Sequence, residues 1–134
     1  MPTERQPESY PEELRYHPEH DWARIEGETA TLGITWYGQD ALGDLVHYEP
    51  PDVGANLTKD GGYGEVESVK AVSDLIAPLS GEVLEVNQKV IDAPETVNED
   101  PYGEGWLVRI RMSDPSETDA LMDAEAYKAH LTTL

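Results

Sequence analysis

The chain has 134 residues, with 28 acidic side chains against 9 basic ones, a net charge of −19 and no cysteine. This length suits one domain that can bury a core without staples, and the absent cysteines exclude a disulfide framework, a thiolate metal site and a thiol nucleophile. The acidic balance disfavours nucleic acid and anionic membranes, which recruit basic patches through counterion release, and favours partners with basic docking surfaces.

With four lysines and no phenylalanine, the composition is also compatible with adaptation to high salt. No apolar run approaches the length needed to span a bilayer. The first fifteen residues carry Glu4, Glu8, Glu12 and Glu13 against Arg5 and Arg15. They read neither as a signal peptide nor as an Arg-rich transit segment, so the expected location is cytoplasmic.

Residues 1–10 are polar and proline-containing, without apolar periodicity, and read as a flexible N-terminal tail; residues 11–134 then form a single domain. Strand-like runs follow at 22–25, 29–34, 45–48, 64–69, 72–77, 82–86 and 106–112, punctuated by Gly27, Gly54, Gly61-Gly62 and Ser80-Gly81. Many short strands between turn signals predict a mainly β sandwich or barrel rather than a parallel sheet. Residues 36–42 suffice for about two helical turns. Asp114-Pro115-Ser116-Glu117 has the form of a helix start, with an acid at the cap, proline at the first position and glutamate three residues after the cap; Asp123 is placed to cap a last helix reaching Leu131.

Gly43-Asp44-Leu45-Val46-His47-Tyr48-Glu49 and Gly81-Glu82-Val83-Leu84-Glu85-Val86-Asn87 repeat one pattern: glycine, acid, two aliphatics, a spacer, an apolar and a polar residue. They begin 38 residues apart. Between them lies Lys70, flanked by Val69 and Ala71 and separated from other lysines as far as Lys59 and Lys89. Residues 64–77 read as strand, turn, strand with Lys70 at the turn. The run lacks the Asn-Gly of a primed hairpin turn, but a four-residue type I turn over 68–71 accepts ordinary residues. An arbitrary lysine is most often a plain surface residue; one at a hairpin tip is open to a modifying enzyme.

Glu67-Ser68-Val69-Lys70-Ala71 resembles the modification signature of lipoyl-bearing proteins, and five blocks in order resemble the glycine cleavage H-protein family. They are Tyr16-His17-Pro18-Glu19-His20-Asp21-Trp22; Gly33-Ile34-Thr35 through Leu42-Gly43-Asp44-Leu45-Val46; the lysine motif; Ser80-Gly81-Glu82-Val83-Leu84-Glu85-Val86-Asn87; and Val97-Asn98-Glu99-Asp100-Pro101-Tyr102-Gly103-Glu104-Gly105-Trp106-Leu107. The resemblance implies a lipoyl/biotinyl-type hybrid barrel-sandwich of two quasi-symmetric sheets, with a short helix near 36–42 and C-terminal helices. It implies lipoate attached to N6 of Lys70, with Glu67, Ser68, Val69 and Ala71 as motif neighbours. The carrier would have no catalytic residues and would be a monomer.

The implied partners are a lipoylating enzyme, glycine decarboxylase (P protein), aminomethyltransferase (T protein) and dihydrolipoyl dehydrogenase (L protein). The carrier takes the aminomethyl group from the first of these three to the second and is reoxidised by the third. Asp21 and Asp74 are the implied docking acids for the loaded arm. The sequence departs from the family at Asp21, where glutamate is usual, at Trp36, where aspartate is common, and at Tyr63, where phenylalanine is usual.

Other readings are weaker. Biotin acceptors flank their lysine with methionines, and lipoyl domains of 2-oxoacid dehydrogenases place aspartate before it, where this chain has Val69. A relay of lipoate to another complex stays open. A Schiff-base enzyme would need Lys70 buried. His17 and His20 have metal-ligand spacing, but Pro18 disfavours a shared helical face and no third ligand is evident. Glu65 and Glu67 alternate as a solvated strand face rather than an acid–base pair, and Trp22, Trp36 and Trp106 read as packing anchors. Asn98-Glu99-Asp100, followed by Pro101 and Gly103, reads as a turn rather than a cation site.

Overall fold

The computed structural model describes residues 7–134; residues 1–6 of the expected tail lie outside the described residues. In chain order the elements are β1 (Arg15–His17), β2 (Asp21–Glu26), β3 (Thr29–Ile34), α1 (Trp36–Leu42), β4 (Leu45–Glu49), β5 (Asn56–Leu57), β6 (Gly62–Ser68) and β7 (Val72–Ile76). They continue with β8 (Gly81–Val86), α2 (Gln88–Asp92), α3 (Thr96–Glu99), β9 (Val108–Met112), a 3₁₀ helix (Pro115–Ala120) and α4 (Ala124–Leu131). The strands form two antiparallel sheets, one of six in the order β1-β2-β3-β9-β8-β5 and one of three in the order β4-β6-β7. The fold is the expected mainly β, two-sheet sandwich with short helices. The two echoed segments fall one in each sheet, on β4 and β8.

The alternating pattern sets which side chains face inward. Ala23, Ala30, Leu32, Val83 and Ile110 of the larger sheet meet Leu45, Tyr48, Val66 and Leu75 of the smaller one in a common core. Fully burying side chains of this kind contributes about 1.5–3 kcal/mol each. The larger sheet is covered on its other face too. There Trp22 packs with Leu14, Tyr16, Ala124 and Tyr127 in a second cluster, so the first half of β2 is buried on both sides. Trp22 lies across from Gly33 in the β2–β3 register, and a Cβ on Gly33 would sit 2.5 Å from the indole. At the N-terminal side the Tyr10 ring packs edge-on against Tyr16 and Tyr127, and the Tyr102 hydroxyl donates to the Ser9 carbonyl at 2.6 Å.

Several elements differ from the sequence-based expectation. β1 and β5 are too short to carry a pattern, and exist because they pair with β2 and β8. The run expected to be strand from 106 begins pairing only at Val108, because residues 101–105 make a turn before it. Asn98 lies in the single-turn helix α3 rather than in that turn. The helix expected after Asp114 is a 3₁₀ helix with Asp114 as its cap. Its Glu117 does not fold back on the cap; the carboxylate accepts from the Ser80 amide at 2.7 Å and hydroxyl at 2.9 Å, tying this helix to the β7–β8 turn. Asp123 caps α4 as expected, accepting from the Ala126 amide.

Candidate functional site

Lys70 stands at the tip of the β6–β7 hairpin, whose register runs Glu65↔Asp74, Val66↔Ser73 and Glu67↔Val72. Neither Val69 nor Lys70 has a positive φ, which excludes the primed turn types that usually close a two-residue hairpin. The Ser68 side chain compensates. The Ser68 amide donates to the Ala71 carbonyl at 2.7 Å, while the Ser68 hydroxyl oxygen accepts from the Lys70 amide at 3.2 Å and the Ala71 amide at 3.1 Å. The fourth amide of the turn, Val69, donates to the Asp44 carbonyl at 3.2 Å. Every backbone donor of the tip therefore has an acceptor.

Around the tip, Glu67, Val69, Lys70, Ala71 and Val72 are exposed, Val69 at 72%. Val46, the extra residue in the β4 bulge opposite Glu67 and Ser68, is exposed as well. A lysine in this setting is the reverse of a buried Schiff-base nucleophile. Its Cε lies 3.5 Å from where a Cβ on Gly43 would be. Gly43 has φ 84 and ψ −165, a conformation essentially closed to other residues.

Beside the hairpin is a cleft of about 230 Å³ between β7, α1 and the β1–β2 turn. Asp21 and Asp74, the two acids singled out in the sequence, both line it, together with Glu19, His20 and Ser73. Their settings differ. Asp74 is exposed, whereas Asp21 is only 3% exposed. Burial, with a smaller contribution from the Glu19 charge, pushes the Asp21 carboxyl well above the usual carboxylate range. Tyr63, the extra residue in a bulge of β6, is also buried, and its hydroxyl has no hydrogen-bond partner among the described residues. Burial raises its phenol, and the Asp21 and Tyr48 charges add to that.

The β1–β2 turn that presents Asp21 is firmly held. His20 takes a left-handed φ of 74, unusual for a residue other than glycine. Its carbonyl accepts from the Thr35 amide at 3.0 Å. His20 Nδ1 and the Tyr127 hydroxyl are 2.8 Å apart, and that hydroxyl is 2.8 Å from Thr35 Oγ1. Burial first, and then the neighbouring His130, lower the His20 imidazole. His17 instead faces Asp60, with Nε2 at 2.6 Å from Oδ1, so the two histidines serve separate contacts. Glu19 was not singled out in the sequence, His20 was weighed only as a metal ligand, and Tyr63 was noted only as a departure from the family. The adjacency of Glu19 and His20 to Asp21 was a usable signal; nothing local marked Tyr63 as lying near Asp21.

A two-sheet sandwich with a lysine on the tip of an exposed hairpin is the architecture of the lipoyl/biotinyl class. The model of the family described as "Glycine cleavage H-protein" matches residues 14–134, and the chain belongs to that family. It is 57% identical over 119 residues to the glycine cleavage system H protein of Anaeromyxobacter sp. (strain K), covering 89% of this chain and 93% of the relative. It is 50% identical over 118 residues to the probable glycine cleavage system H protein of Haloarcula marismortui, covering 88% and 93%. The crystal structure of a glycine cleavage system H protein from Mycobacterium marinum superposes with a TM-score of 0.83 at 40% identity, covering 92% of this chain and 99% of that one. The chain is thus a lipoyl-carrier component of glycine cleavage. Among the described residues no helix is long and apolar enough to cross a membrane.

Proposed function

We propose that Lys70 is the single N6-lipoylation site and that the carrier serves three enzymes in turn: a glycine decarboxylase, an aminomethyltransferase and a dihydrolipoyl dehydrogenase. The observation that carries this reading is the exposed hairpin tip, with its turn amides satisfied internally and Lys70 open to solvent. An amide-linked lipoyl group there would supply a reducible disulfide on a flexible tether. The residues of the chain do the rest. Ser68 fixes the turn, and the exposed valines with Glu67 give a modifying enzyme a surface to grip. The acidic exterior favours encounter with basic partner surfaces, and tethering raises the local concentration of the cargo at each enzyme.

The cleft is the proposed resting place of an amine-bearing cargo. It presents three carboxyl groups, Glu19, Asp21 and Asp74, of which the buried one holds a cation more firmly than exposed pairs, worth only about 0–1 kcal/mol, can. Exclusion of water at Asp21 protects an amine from hydrolytic loss.

The test is intact-mass analysis of the protein made with a lipoylating enzyme, followed by a reconstituted glycine cleavage assay. One lipoyl mass is expected on the parent and none on Lys70→Arg, with carrier activity lost. Asp21→Asn and Asp74→Asn should each be lipoylated normally but lose the aminomethyl cargo faster. A lipoyl mass retained on Lys70→Arg would refute the attachment site; unchanged loss of cargo in both aspartate variants would refute the cleft.

A further inference from the structure

On the reading of Lys70 as the lipoylated lysine, we propose that Asn98 is a positioning residue for it, setting the pose in which the hairpin tip meets the modifying enzyme. Asn98 is 28 positions away in sequence and only 2% exposed. Its amide oxygen accepts from the Leu45 amide at 2.9 Å. Its amide nitrogen donates to the Gly43 carbonyl and to Gln39 Oε1, each at 3.0 Å. Three of the four hydrogen bonds an asparagine side chain can make are thus spent on residues 39–45, from the middle of α1 to the start of β4.

That stretch is the outside support of the tip. β4 is an edge strand, so the Leu45 amide, on the side away from β6, has no strand to pair with and depends on Asn98. Leu45 is paired with Ser68 in the register. The residue between the two that Asn98 grips, Asp44, receives the Val69 amide at 3.2 Å. Gly43, gripped through its carbonyl, lies next to the Lys70 side chain, whose Cε is 3.5 Å from where a Cβ on Gly43 would be. The hairpin turn closes on itself through Ser68; its angle to the body of the protein is set by residues 43–45, and these are set by Asn98. A lysine swinging with an untethered tip would still react with any small reagent. It would seldom present the pose that an enzyme pocket requires, because orientation costs accumulate in the encounter.

The test uses the full-length, unlipoylated protein with Asn98→Ala and the milder Asn98→Ser, which leaves room for water at the three groups. Three quantities are read: amide exchange at Val69 against Val66, kcat and KM for lipoylation of the protein by a lipoate–protein ligase, and acetylation of Lys70 by N-hydroxysuccinimidyl acetate. The expected result is a loss of about tenfold in Val69 protection and in ligase kcat/KM, the worth of one ordinary hydrogen bond. Val66 protection and the chemical acetylation rate should stay within about twofold.

Ligase kinetics unchanged despite lost Val69 protection would overturn the proposal. So would a fall in protection spread evenly over β6 and β7, which is what a merely structural residue would give. Should both variants fail to fold, exchange in the parent decides. The Leu45 and Val69 amides should open together, and a Val69 amide that exchanges far ahead of Leu45 overturns the tie. A parent protein that the ligase does not modify at Lys70 would instead refute the reading of the lysine, leaving the exchange coupling intact.

Discussion

The hairpin tip and the floor of the cleft sit side by side, yet they handle polar groups in opposite ways. At the tip the four turn amides of residues 68–71 all have acceptors, and the charged group, Lys70, is exposed. At the floor the Asp21 carboxyl is buried and raised, and, close enough to feel its charge, the Tyr63 hydroxyl is buried without a partner among the described residues. A satisfied polar turn costs little and can be held in one shape. A buried hydroxyl left unpartnered costs roughly 1–3 kcal/mol. On the proposed function, the tip serves presentation to other proteins and the floor serves a ligand with a charge of its own.

The largest expected effect separates the two regions cleanly. Lys70→Arg removes the proposed attachment point from the tip and leaves the floor alone. Lipoylation, followed by intact mass, should be lost completely, while the melting temperature stays within about 2 °C because exposed substitutions are usually within ±0.5 kcal/mol. A large fall in melting temperature would mean that the tip carries stability as well as function, and the contrast would collapse.

Next in size is the floor. Because burial raises the folded Asp21 pKa above its unfolded value, the folded state holds a proton that the unfolded state has released across that interval. Stability therefore falls as pH rises from the ordinary carboxylate range through the raised folded value. Asp21→Asn mimics the protonated acid and abolishes this contribution. Denaturant unfolding of the unlipoylated protein should show the variant more stable than the parent near neutral pH, where the parent's buried carboxyl is under pressure to ionise. The advantage should shrink toward pH 4. An equal gap at both pH values would place the effect in packing instead of ionisation.

Tyr63→Phe tests the surroundings of Asp21 without touching its charge. Removing a hydroxyl that has no partner should stabilise by about 1 kcal/mol, or roughly 3–5 °C for a domain of this size. Destabilisation would show that the hydroxyl is satisfied in solution, for instance through water shared with Asp21.

The same contrast explains what could be read from the sequence. The tip was legible because hairpins are local: the alternation in residues 64–69 and 72–77 and the motif around Lys70 lie within fourteen residues. Asp21 and Asp74 were singled out through resemblance, and the structure brings them to one cleft. The depth of Asp21 was not legible, because it depends on both faces of β2 being covered, one by the second sheet and the other by residues from the two chain ends. Asn98 was read as part of a turn; its grip on Gly43 and Leu45 joins positions more than fifty residues apart. The helix α2 had a usable mark that went unread, since Asn87 caps it by accepting from the Lys89 amide.

The smallest effect concerns the surface that both regions share. With 28 acids and 9 bases, most carboxylates have no opposite charge to meet. The ion pairs that do form, such as Arg109–Glu85, Arg111–Glu82, Lys89–Glu104 and Lys128–Glu125, are exposed. Such pairs are worth about 0–1 kcal/mol each, so salt takes little from the fold by screening them. It relieves more by screening the repulsion among the remaining acids, as the Debye length drops from about 10 Å at 0.1 M to about 3 Å at 1 M. The melting temperature of the parent should therefore rise modestly over that range. Association with the decarboxylase, measured as an on-rate, should fall over the same range because steering is screened as well. A melting temperature that falls steadily with salt would show that the few ion pairs outweigh the repulsion, and the acidic surface would then have to be explained by docking alone.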